Sequence, residues 1–181
     1  MMDAPEEYHL RKISREWNWE MLWILGETPV ETRDLSIVFD RQPDIFAIPR
    51  LFSERVECVG FFRGASLVGF AMLMFQRRYV GGEPQTVACF GNAHVKKEAR
   101  GRGFSHLAAD FLSREMRGVC DLGYAVVMTG NRAAEKFIGG DWPGRPGLVH
   151  SKAIATLRAK SILVMGRKRE GDGYLVRRAE L

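Results

Sequence analysis

The sequence predicts an α/β fold, a mixed, mostly antiparallel twisted sheet flanked by helices. Three observations support it. Short apolar runs separated by glycine turns crowd between Arg55 and Val95, as strands joined by hairpins do. From Phe104 the apolar residues switch to helical spacing, and strand-like and helix-like segments alternate from there on. Of 181 residues, 46% are hydrophobic and 27% charged. That balance excludes disordered, collagen-like and coiled-coil chains, and the length suits one domain with its own core.

Taken in order, Tyr8–Ile13 alternates as a short strand, and Ser14 reads as the N-cap of a helix. That helix would bury Trp17, Met21, Leu22, Ile24 and Leu25. Trp17 and Trp19, two residues apart, cannot share a helix face, so one of the two is expected in solvent. A second short helix is expected around Val30 to Phe39, then a loop from Gln42 to Glu54 punctuated by Pro43 and Pro49. Arg55–Phe62 and Ser66–Phe75 flank an Arg63-Gly64 turn, and Gln85–Val95 follows a turn at Gly81-Gly82-Glu83-Pro84. Phe104, Leu107, Ala108, Phe111, Leu112 and Met116 form one apolar helical stripe. Tyr124–Met128 is a compact strand, and Asn131 caps a short helix through Phe137. After a glycine- and proline-rich loop, two more strands are expected near 148–157 and 161–165.

Charge and composition narrow the chemistry. Lys and Arg number 27 against 22 Asp and Glu, a net +5, and the pI is near 9.3. So mild an excess fits a phosphorylated ligand as readily as a nucleic acid. Cys58, Cys89 and Cys120 are three and widely spaced, which suggests a reducing cytoplasm rather than a disulfide framework. His9, His94, His106 and His150 form no metal-ligand pattern. The acidic start Met-Met-Asp-Ala-Pro-Glu-Glu does not look like a signal peptide. The longest apolar run, Leu67–Phe75, is nine residues, where a membrane span takes roughly 20.

The informative segment runs from Ala93 to Leu107. A strand ends at Val95, a turn with Gly101 and Gly103 follows, and an amphipathic helix starts at Phe104. The first N–H groups of a helix are unpaired donors at the positive end of its dipole, so this turn is an anion cradle. Glycine lets the backbone approach a phosphate, and Arg100 and Arg102 add charge. A dinucleotide fingerprint would need glycine at His106, and no Gly-Lys-Ser/Thr is present.

These residues resemble the GNAT family of acyl-CoA-dependent N-acetyltransferases. The family's pyrophosphate loop, Gln/Arg-x-x-Gly-x-Gly/Ala after a strand, is matched by Arg100-x-x-Gly103-x-Ser105, with serine at the last place. Val95 and Glu98 fit its approach. Asn131-x-x-Ala134-x-x-Phe137 resembles the second motif, which lies beside the pantetheine arm. The resemblance implies a GNAT-like domain over 1–170 and acetyl-CoA as acyl-donor substrate. It implies contacts from Ala93, His94, Val95, Arg100, Gly101, Arg102, Gly103, Phe104, Ser105, Asn131, Ala134 and Phe137. A backbone N–H near His94 or Val95 would polarise the thioester carbonyl. Expected partners are acetyl-CoA and an amine acceptor, with no membrane and no nucleic acid, and with a homodimer left open.

The sequence departs from the family in its proton-transfer groups. Asn92 stands where many members have an acid, and Ile138 where a tyrosine is common. His94 is the nearest titratable candidate for the catalytic base, with Glu83 and Tyr79 more distant. Residues 26–44 carry Glu27, Glu31, Asp34, Asp40 and Asp44 against Arg33 and Arg41, five acids against two bases, which suits either a cationic acceptor or a plain solvated face. Tyr174–Ala179 echoes Tyr8–Ile13, so 171–181 reads as a tail that opens a second, similar domain or echoes by coincidence. Three functions stay open: an N-acetyltransferase, a non-catalytic acyl-CoA-binding domain, and a nucleic-acid module supported by the pI alone.

Overall fold

A computed structural model describes residues 7–31, 36–120 and 122–139. In order they form β1 (Tyr8–Ile13), a 3₁₀ turn (Arg15–Trp17), α1 (Asn18–Glu27), β2 (Val30–Glu31), β3 (Ser36–Ile37), α2 (Ala47–Phe52), β4 (Arg55–Arg63), β5 (Ser66–Val80), β6 (Glu83–Val95), a 3₁₀ turn (Lys97–Ala99), α3 (Phe104–Met116), β7 (Gly123–Ala125) and α4 (Arg132–Gly139). The main sheet has the order β1-β4-β5-β6-β7. Its first three pairings are antiparallel and β6–β7 is parallel. The expected mixed, mostly antiparallel sheet is what forms.

The central strands β4 and β5 read as almost continuous apolar runs because helices cover both faces. On one face α1 lays Met21, Ile24 and Leu25 against Cys58, Phe62, Phe70 and Met72. On the other, Phe111 and Leu112 of α3 meet Val59, Ala71, Leu73, Phe75 and Ala88. Phe61 lies between β1 and α3, stacked on Tyr8 at 5.2 Å and tilted to Phe104 at 5.4 Å. Trp17 packs edge-on against Phe62 at 5.1 Å, whereas Trp19 is 68% exposed.

Four local expectations change. Val30–Phe39 is not a helix: β2 and β3 pair antiparallel, Val30 with Ile37, as their β-branched residues prefer. Gln42–Glu54 is not all loop, since α2 forms within it. Pro49 is the third residue of α2, where its missing N–H would have had no helical partner. Ser14 is extended but caps no amide; its hydroxyl bonds the Glu16 carboxylate, and the chain enters α1 through the 3₁₀ turn. The strand expected over Tyr124–Met128 is β7, Gly123–Ala125, and Val126 lies beyond it, exposed. Residues 148–157, 161–165 and 171–181 lie outside the described residues.

One polar pin holds the α1 side together. Buried Asn18 donates through Nδ2 to the Pro43 carbonyl at 2.8 Å and accepts the Ile45 N–H at Oδ1 at 3.0 Å. Both ends of the amide are satisfied, as burial demands.

Candidate active site

The site starts from an irregularity in β6. Phe70 faces His94 and Met72 faces Gly91, so Asn92 and Ala93 together oppose Ala71 alone. This is a β-bulge. Asn92 takes φ 49°, a left-handed conformation that asparagine tolerates better than most residues. Its Nδ2 lies 3.4 Å from the Met72 sulfur. An extra residue re-aims the backbone groups of Ala93 and those after it.

The bulge sits where the sheet opens. β6 and β7 pair through Ala88, Cys89 and Phe90 with Gly123, Tyr124 and Ala125. Beyond Phe90, β6 runs on to Val95 with β5 on one side and, among the described residues, no strand on the other. Gly91–Val95 therefore presents an open edge of backbone donors and acceptors beyond the last β6–β7 pair. Phe137 of α4 is tilted against Phe90 at 5.3 Å, which ties α4 to the last β6 residue paired with β7.

The turn after β6 is held at both ends and open in the middle. Buried Ala99 packs with Phe61 and Val68, and Phe104 leans on Phe61. Between these anchors Gly101 and Gly103 adopt φ 75° and 91°. A Cβ built at either would meet nothing within 4 Å. No side chain caps α3 at Gly103, so its positive end faces that space. Arg100 Nε donates to the Val95 carbonyl at 3.2 Å, fixing the turn to the strand end; Arg102 is exposed. An anionic group fits this cradle.

Asn131 acts as expected. Its Oδ1 accepts the Ala134 N–H at 3.2 Å, while Glu135 accepts the Gly130 N–H at 2.8 Å, a reciprocal cap at the start of α4.

His94 is 7% exposed and stacks on Phe70 at 5.5 Å. Its Nδ1 lies 2.9 Å from Thr28 Oγ1 and 3.2 Å from the Thr28 carbonyl. Burial pushes its pKa below the ordinary 6.5, the Thr28 carbonyl opposes that, and Arg41 adds a smaller downward push. Glu83 and Tyr79 lie at the hairpin tip, Tyr79 80% exposed. Eleven residue steps along β6, roughly 36 Å at about 3.3 Å each, separate Glu83 from His94, so the structure does not bring them together. Sequence reasoning missed Thr28, the bulge and the tight packing of Gly69 against His94 and Val95. Gly91-Asn92 inside a strand was the signal available for the bulge.

Among the described residues no group of three His, Cys, Asp or Glu could hold a metal ion, and no helix is long and apolar enough to cross a membrane. No family model and no curated protein matches the chain. Solved structures do match. A possible acetyltransferase from Clostridium difficile has a TM-score of 0.61 at 10% identity, with 86% of this chain and 98% of that one covered. A transcriptional regulator from Bacillus halodurans has a TM-score of 0.55 at 17% identity, covering 81% and 100%. A structure of AAC(6')-Iy in complex with the bisubstrate analog CoA-S-monomethyl-acetylneamine has a TM-score of 0.54 at 14% identity, covering 82% and 99%. The chain has the fold of the GNAT acetyltransferases.

Proposed function

We propose that this chain is a CoA-dependent N-acetyltransferase that moves an acetyl group from acetyl-CoA to an amine by direct attack in a ternary complex. The observation that carries the reading is the strand edge of β6 left unpaired after Phe90, beside a bulge and ahead of an open glycine cradle. The comparison structure with a CoA-containing analog supports the donor class. Bound acetyl-CoA supplies an activated acyl group and a thiolate leaving group.

The chain's own residues do the rest. The backbone N–H groups of Gly101, Gly103, Phe104 and Ser105, with the positive end of α3, hold the pyrophosphate, and Arg102 adds charge. The open edge at Ala93, His94 and Val95 pairs with the amides of the pantetheine arm, next to Asn131, Ala134 and Phe137. An N–H at the bulge donates to the thioester oxygen as negative charge grows there. The ammonium proton is lost to solvent beforehand, the amine nitrogen forms a bond to the carbonyl carbon, the carbon–sulfur bond breaks, and the second proton on that nitrogen passes to the departing CoA thiolate. Buried His94 positions β6 against α1 and is not the base. The test is calorimetry with acetyl-CoA, followed by CoA release across an amine panel. Absence of acetyl-CoA binding overturns the reading.

A second reading is favoured by Asn92, which carries no titratable group at the bulge. It is a domain that binds acyl-CoA without transferring the acyl group. Binding without CoA release from any amine selects it. Residues 1–170 are proposed as the domain, with 171–181 outside it.

A further inference from the structure

Two tryptophans one turn apart on α1, Trp19 and Trp23, are 68% and 66% exposed. Large indoles seldom stand this far into solvent without a partner. Residues four apart share a helix face, so both rings flank one cleft of about 290 Å³ lined also by Glu20, Ile24, Leu67 and Lys96. Trp17 spends its ring on Phe62; among the described residues Trp19 and Trp23 have no ring partner.

The charges around the cleft are unequal. Lys96 Nζ is 3.6 Å from Glu27 Oε2, so its charge is already matched. Glu20, among the described residues, has no ion pair or hydrogen bond. One carboxylate is left over, beside two electron-rich indole faces and an apolar floor of Ile24 and Leu67. Indole faces and a carboxylate both attract a cation, and the apolar floor favours one that carries alkyl groups. The volume is at the small end for a ligand site and suits a single head group.

We propose that the cleft between Trp19 and Trp23 binds an alkylated ammonium group, with the two indoles on its alkyl faces and Glu20 balancing its charge. The site is separate from the Gly101–Ser105 cradle and does not depend on acetyl transfer.

The test is a fluorescence titration of the full chain with choline and with 3,3-dimethylbutanol, its neutral isostere. Choline is expected to shift the tryptophan emission saturably, with the isostere weaker on the order of tenfold. Trp23→Leu should abolish the response and Glu20→Gln should weaken binding several-fold, both with unchanged circular dichroism because the side chains are exposed. Equal binding of the isostere would reduce the cleft to an apolar patch and overturn the proposal. So would a choline response that survives in Trp23→Leu, or a response to AMP and none to choline.

Discussion

The hydroxyl of Thr28 lies 2.9 Å from Nδ1 of His94 and decides which nitrogen of that ring carries the proton. Oγ1 gives its single hydrogen to the Ile24 carbonyl at 2.6 Å, so toward His94 it can only accept. The Thr28 carbonyl, 3.2 Å from the same nitrogen, also only accepts. Nδ1 therefore holds the hydrogen and Nε2 the lone pair in the neutral ring. The C-terminal end of α1 thereby grips β6 at the residue after the bulge, so helix position and bulge geometry are coupled.

Burial of this ring makes stability depend on pH. Burial holds the folded pKa of His94 below the 6.5 it has when exposed. As pH falls below 6.5, the unfolded chain takes up a proton that the folded one resists. The stability is complete above that pH and is lost as pH falls toward the folded value. Urea denaturation at pH 7.5 and 5.5 should show a larger drop for the wild type than for His94→Gln, which keeps an amide donor for Thr28. Equal drops in both proteins would show that the ring contributes nothing to the acid limb.

Gly103→Val should damage donor binding more than the fold. At φ 91° any side chain is strained, at a cost of roughly 1–2 kcal/mol, yet a Cβ there meets no neighbour within 4 Å. The valine instead fills the space in which an anion would sit. Calorimetry should show acetyl-CoA affinity reduced at least tenfold in a protein that still melts cooperatively. Unchanged affinity would move the donor's phosphates elsewhere.

The legible parts of the fold were those set by local chemistry. The Phe104–Met116 stripe, the Gly81-Gly82 turn and the Asn131 cap each lie within a few residues of their cause, and all three form. The positive-φ glycine turn from Gly101 into α3 was legible for the same reason. What stayed hidden depends on distant partners. Thr28 matters because α1 ends over His94, 66 residues away in sequence. α2 was hidden by Pro49, which breaks helices in their interior but is tolerated in the first turn. The bulge offered only Gly91-Asn92, a pair that also fits a plain turn.

Gly69→Ala tests whether the packing opposite the bulge matters. A Cβ at Gly69 would come within 2.8 Å of the His94 carbonyl oxygen and 3.2 Å of Val95 Cα. Both are backbone atoms, so no rotamer relieves the clash and β6 itself must move. Overpacking of this kind costs about 1–3 kcal/mol, and here it displaces the strand edge that would receive the donor. Urea midpoints should fall and acetyl-CoA affinity with them. Gly26→Ala, with open space around it on α1, is the control and should stabilise by about 0.5–1 kcal/mol. Retention of both stability and affinity in Gly69→Ala would mean that β6 tolerates the shift.

The pH dependence of the rate separates a solvent-deprotonated acceptor from an internal base. Asn92 cannot take a proton at the bulge, and burial of His94 disfavours its protonated form. The backbone donor at the bulge and the positioning of amine against thioester need neither side chain. The transfer rate should therefore climb with pH as the acceptor amine deprotonates in solution, and His94→Gln should leave the shape of that profile unchanged. Asn92→Asp places a carboxylate at the same point, and aspartate tolerates the left-handed backbone nearly as well. If the missing base is what limits transfer, this variant should gain rate at low pH, toward the 10²–10⁴ that a positioned base typically contributes. Wild-type rates with a limb below pH 6.5 that vanishes in His94→Gln would instead make His94 the base.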